Sequence, residues 1–73
     1  MSELDQLVKM ANQIAANFTY HDDAIERTAD HLHRFWAPSM IRLLSAHVKQ
    51  GGDGVIPTVV EALARIEASQ SAA

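Results

Sequence analysis

The residues most able to do chemistry are four histidines, at positions 21, 31, 33 and 47. His31 and His33 stand two apart. On a helix that spacing turns them roughly 200° from one another, so they cannot chelate one metal together. A helical metal site wants ligands three or four residues apart, as in H-E-x-x-H. A site built across helices, such as His31 with His47, stays open; the plainer reading is histidines at a surface or interface. Thr28, Ser39 and Ser45 are the candidate hydroxyl nucleophiles. None lies in a nucleophile-elbow sequence or has a histidine at a telling position, so they are expected on helix surfaces or in packing. Gly51-Gly52-Asp53-Gly54 has the glycine content of a phosphate cradle. It lacks the Lys-Ser/Thr of a P-loop and follows a helix rather than a strand, which makes it a turn and a helix stop. The chain has no cysteine, so disulfides and thiolate-ligated metals or clusters are excluded. No catalytic, cofactor-binding or metal-ligating residue is expected.

The elements that carry these residues read as four helices. The first spans about Glu3 to Phe18. Ser2 with Asp5 fits a capping pattern, and Leu4, Leu7, Val8, Ala11, Ile14, Ala15 and Phe18 form its apolar stripe. Thr19-Tyr20-His21-Asp22 breaks the chain. Asp22 or Asp23 then caps a second helix, with Glu26 completing a capping box. This helix reaches about Trp36, with Ile25, Ala29, Leu32, Phe35 and Trp36 as its apolar stripe. Pro38 disfavours helix at Ala37 and suits the first position of a third helix, which runs to about Lys49 on Met40, Ile41, Leu44 and Val48. Gly51-Gly52 stops it. Pro57 opens the fourth helix, with Val59, Val60, Leu63 and Ile66 apolar. The fold class expected is all-α: a small bundle of about four short helices joined by short loops. Residues 1–67 make one helical domain and 68–73 a flexible C-terminal tail.

Composition narrows the partners. At 73 residues the chain is one domain at most, and 48% hydrophobic with 21% charged places it among globular chains. Domains this small bury a modest fraction of their surface and usually need a disulfide, a metal, self-association or a partner. The first two have no visible means here. A net charge of −3 and six scattered cations argue against nucleic acid, whose binders show a basic face. No apolar run is long enough to span a membrane, and the acidic, polar Met1-Ser2-Glu3-Leu4-Asp5 is unlike a signal peptide. A cytoplasmic chain is expected.

Candidate partner-binding residues come from two places. Phe35-Trp36 puts two large aromatics at a helix end before a proline. A tryptophan there is either a core plug or an exposed anchor, and Trp is enriched in interface hot spots. Arg27 and Arg34 share a helix face, and Arg34 is placed to stack or to pair with a partner carboxylate. On the first helix, Asn12, Gln13 and Asn17 are neutral amides, cheaper to desolvate than charges. The interface expected therefore comprises Asn12, Gln13, Arg27, Arg34, Phe35, Trp36, Pro38 and Met40.

Two runs in this chain carry a resemblance. Lys9-Met10-Ala11-Asn12-Gln13-Ile14-Ala15 and His31-Leu32-His33-Arg34-Phe35-Trp36-Ala37-Pro38-Ser39-Met40, with His47-Val48 and Gly51-Gly52 following, resemble the delta subunit family of NAD-dependent formate dehydrogenases. The likeness covers roughly Leu7 to Leu63. The family often has a polar or charged residue where this chain has Ala37, and a basic one near Ser39 or Ile41, so charge contacts at that corner are weaker here.

The resemblance implies a non-catalytic accessory subunit of a soluble complex that converts formate and NAD to CO2 and NADH. It implies docking on, and stabilisation of, the catalytic alpha subunit, with beta and gamma subunits in the same complex. The cofactors it implies all belong to those partners: a bis-pyranopterin molybdenum or tungsten centre, iron–sulfur clusters and FMN. Two other readings stand beside it. One is an assembly factor aiding molybdenum-cofactor insertion, for which Arg27 and Arg34 are the only paired cations suited to pyranopterin phosphates. The other is a free-standing homodimeric helical regulator, and a homodimer is also possible for the isolated chain.

Overall fold

In the computed structural model, which describes residues 2–71, each helix starts and stops where local chemistry dictates. The first helix, α1, is Glu3–Asn17. The Ser2 hydroxyl accepts from the Asp5 amide at 3.1 Å, satisfying one of the unpaired donors of the first turn. Helix α2 is Ala24–Phe35. Asp23 holds its N-cap position without a side-chain cap bond, because its carboxylate is engaged by Arg27 instead. Glu26, expected to close a capping box, pairs with Arg65 of the last helix. Trp36 and Ala37 are extended, as the residue before a proline prefers, and Pro38 opens α3, Pro38–Lys49. Helix α4, Pro57–Ser71, runs past Ala68, where a tail was expected to begin; residues 72 and 73 lie outside the described residues.

The turn after α3 ends it in a Schellman pattern. Gly52 N–H donates to the His47 carbonyl at 3.0 Å and Gly51 N–H to the Val48 carbonyl at 3.1 Å. Gly51 and Gly52 have φ of 125° and 65°, a region that side chains disfavour, so glycine is required there. The turn is then tied down twice. His47 Nε2 donates to the Asp53 carbonyl at 2.8 Å. From α1, Asn12 Nδ2 donates to the Gly54 carbonyl at 2.8 Å, and its Oδ1 accepts from the Ile56 amide at 3.2 Å.

One apolar core joins all four helices: Leu7, Ala11 and Ala15 of α1, Leu32 of α2, Trp36 at the corner, Ile41 and Leu44 of α3, and Val59, Leu63 and Ile66 of α4. Helix α2 packs most extensively on α4. Ala11 and Ala15 are the small residues that bring α1 close to the rest.

The second helix departs from its expected stripe. Phe35 is 72% exposed, while Thr28 is fully buried. Positions 25, 28, 29 and 32 centre the inward face, and 35 falls on its edge. Thr28 is tolerated inside because its hydroxyl donates to the Ala24 carbonyl one turn back at 2.8 Å. In α3, Ile41 and Leu44 are buried as expected, joined by Ser45, with Met40 and Val48 half-buried. No described helix is long and apolar enough to cross a membrane.

Candidate partner interface

Where α1 ends and α2 passes it, aromatic rings collect on the surface. Phe18, the C-cap of α1, stands edge-on to His21 at 6.1 Å and to His31 at 6.5 Å between ring centroids. His31 in turn tilts against Phe35 at 4.8 Å. The pair His31 and Phe35 is one helical turn apart, so the helix itself holds the rings together. Along α1, Met10 and Ile14 precede Phe18 at four-residue steps and extend the apolar strip. A shallow hollow of ≈ 380 Å³ follows it, lined by Gln6, Lys9, Met10, Gln13 and Ile14. Tyr20 stands beside this region at 98% exposure. Met10, Tyr20 and Phe35 are the exposed large groups of this strip, with Ile14, Phe18 and His31 half-buried among them, and exposed apolar surface of this kind marks a candidate partner site.

Charge on the α2 side of the strip is locally balanced. Arg27 Nε donates to Asp23 at 2.7 Å, and Arg34 Nε donates to Asp30 at 2.9 Å, both one turn apart on α2. The Arg27 hydrogen bond holds the Asp23 carboxyl below its usual range. All four side chains are largely exposed, so these pairs add little to stability. They do leave α2 with an ordered, near-neutral polar border rather than two free cations.

The expected interface residues are thus divided. Phe35, Arg34, Arg27 and Pro38 are exposed, as is Gln13, whose amide reaches Asn17 at 3.4 Å. Trp36, 7% exposed, is a core residue rather than an exposed anchor. Met40 is half-buried against the core. Asn12 spends both ends of its amide on the 54–56 turn. Phe18 was expected on the apolar stripe of α1 and the histidines at a surface or interface, but the gathering of Phe18, His21 and His31 beside Phe35 was not expected. The i, i+4 spacing of His31 and Phe35 was a signal for that pair; the approach of Phe18 from α1 was not readable from spacing.

The histidines do not converge. His31 lies among the rings and His47 holds the 53 carbonyl, and among the described residues no three His, Cys, Asp or Glu side chains are grouped to hold a metal ion. Thr28 bonds its own helix, and Ser45 is buried with no basic partner on its hydroxyl among the described residues.

Searches of curated proteins and of solved structures gave no match. The family model for the NADH-dependent formate dehydrogenase delta subunit, FdsD, matches residues 6–63. That span holds both sequence runs noted above, the ring strip, and the turn tied by Asn12. The chain belongs to the delta subunit family of NADH-dependent formate dehydrogenases.

Proposed function

We propose that this chain is a non-catalytic accessory subunit that docks on the catalytic alpha subunit of a formate dehydrogenase and stabilises the assembled complex. Family membership supports the association. The observation that carries the docking is Phe35, 72% exposed and backed by His31 and Phe18 in one apolar strip. A preorganised aromatic projecting from a rigid helix end loses little entropy on binding, which is what makes such residues interface anchors. On this reading the bis-pyranopterin metal centre, iron–sulfur clusters and FMN sit in the partner subunits. Cysteine ligation of a cluster is closed to this chain by its sequence.

The assembly-factor alternative relied on Arg27 and Arg34 as free cations for pyranopterin phosphates. Each pairs with a carboxylate one turn away, so a phosphate bound there would have to displace Asp23 or Asp30. The test is a tagged pull-down from native cytosol with subunit quantification and a formate–NAD assay. One-to-one recovery with active dehydrogenase is expected. Sub-stoichiometric recovery that is lost once the metal is inserted would favour the assembly factor. Recovery of the chain alone would favour the homodimeric regulator.

A further inference from the structure

A groove separates α3 from the last turns of α4. Its larger part, ≈ 300 Å³, has apolar walls from Pro38, Ile41 and Ile66 and a cationic rim at Arg42. A smaller part of ≈ 120 Å³ adjoins it, and the two share Ser45, Lys49 and Glu67. Lys49 and Glu67 pair there at 3.3 Å with both side chains well exposed. Ser45 is 7% exposed, and its hydroxyl has no hydrogen-bond partner among the described residues. A buried hydroxyl without a partner is unfavourable and uncommon in native structures. Arg42, exposed on the rim, is free to take an anion: Arg27, Arg34, Lys49 and Arg65 all have carboxylate partners, whereas Arg42, like Lys9 on α1, has none among the described residues.

We propose that this groove receives a segment of the partner subunit bearing an Asp or Glu side chain flanked by apolar residues, its carboxylate accepting from both the Ser45 hydroxyl and the Arg42 guanidinium. The inference rests on the docked-subunit reading. Arg42 and Ser45 are three residues apart on one helix, so one carboxylate reaches both. A carboxylate is acceptor-only, which suits two donors, and its bond to arginine is charge-assisted. Glu67 in the same groove opposes any anion, but a dianionic phosphate about twice as strongly as a single carboxylate, and the apolar walls suit the flanking residues of a peptide rather than a free phosphate. The Lys49–Glu67 pair is a surface pair of the kind that yields readily, opening the way to Ser45. Location supports the same partner: the groove begins at Pro38, three residues from the exposed Phe35, so one surface wrapped around the α2–α3 corner meets both.

The test titrates the full chain onto dehydrogenase purified without it, and records the melting temperature of each variant alone. Ser45→Ala is expected to raise the melting temperature, because an unsatisfied buried group is removed, yet to weaken docking roughly tenfold. Those opposite signs separate a docking role from a structural one, which would lower both together. Arg42→Glu, on the exposed rim, is expected to leave melting unchanged and weaken docking by at least about tenfold, with Arg42→Lys recovering part of the loss. A photo-crosslinker at the exposed position of Ala46 should capture a partner segment containing Asp or Glu. Wild-type docking that neither variant alters, or crosslinks only to a second copy of this chain, would overturn the groove while leaving the subunit reading intact. Failure of the wild-type chain to dock at all would overturn both.

Discussion

At the corner between α2 and α3, two adjacent aromatic side chains part company. Trp36 turns inward into the core it shares with Ile41, Leu44 and Ile66, and Phe35 turns outward against His31. Hydrophobicity alone would have buried both. The difference comes from the backbone: Phe35 is the last helical residue and falls on the edge of the inward face, whereas Trp36 leaves the helix in an extended conformation that redirects its side chain. The inward ring is spent on folding this chain, and the outward ring is left for something else.

Replacing each ring by alanine should therefore break different properties. Trp36→Ala is expected to have the largest effect of any single change, a destabilisation of about 3–5 kcal/mol from lost burial and the cavity left behind. For a domain this small that approaches or exceeds its whole stability, so denaturant unfolding should show the variant largely unfolded. Phe35→Ala should change unfolding free energy by less than about 0.5 kcal/mol, as surface substitutions do, while weakening docking by about 2 kcal/mol. Urea titration and a binding titration run on the same two variants decide the matter. Equal losses of stability would mean that Phe35 is part of the core in solution, and the comparison would collapse.

A second contrast, between Asn12 and Gln13, sharpens the first. Both are amides in the run that carries the family resemblance. Gln13 reaches only a neighbouring side chain, Asn17. Asn12 reaches across 42 residues to the Gly54 carbonyl and also accepts from Ile56, so it pins the glycine turn to α1. Asn12→Ala should cost about 1–3 kcal/mol, the penalty of leaving those backbone groups unmatched. Gln13→Ala should be near neutral for the fold. Amide hydrogen exchange gives the local readout: the Ile56 amide should lose protection in the first variant and keep it in the second.

Much of this architecture was legible in the sequence, because its signals are local. The Ser2 cap, the Ala37-Pro38 break and the Gly51-Gly52 stop each act within a few residues, and all three fall where expected. The inward faces of α1 and α4 follow from helical periodicity in the same way. What spacing could not supply is tertiary. Nothing local distinguishes Asn12 from Gln13; only the arrival of residues 54–56 does. The opposite fates of Phe35 and Trp36 turn on where α2 ends, which spacing fixes only to within a residue or two, and Glu26 looked like a capping residue until Arg65 came within reach. Of the candidate interface, the two arginines were readable from type and position. Phe35 fits the interface by type but also falls in the apolar stripe of α2, so its exposure was not readable, and Phe18 joins them only through the packing of α1 on α2.

The smallest expected effect concerns the polar border of that interface. The Asp23 carboxyl titrates below its usual range chiefly because Arg27 donates to it. A folded-state value below the unfolded one means that the pair favours the fold at pH above the usual carboxylate range. That contribution is lost as pH falls from there through the depressed value of Asp23. Because the pair is open to solvent, Arg27→Ala should leave the melting temperature at neutral pH essentially unchanged. It should nonetheless move the Asp23 titration, followed by carboxyl carbon shifts in NMR, back up toward the ordinary value. An Asp23 titration indifferent to Arg27→Ala would mean the guanidinium is free in solution. The border of α2 would then carry an available cation beside Phe35, and the local balance that sets this face apart from the Arg42 groove would be gone.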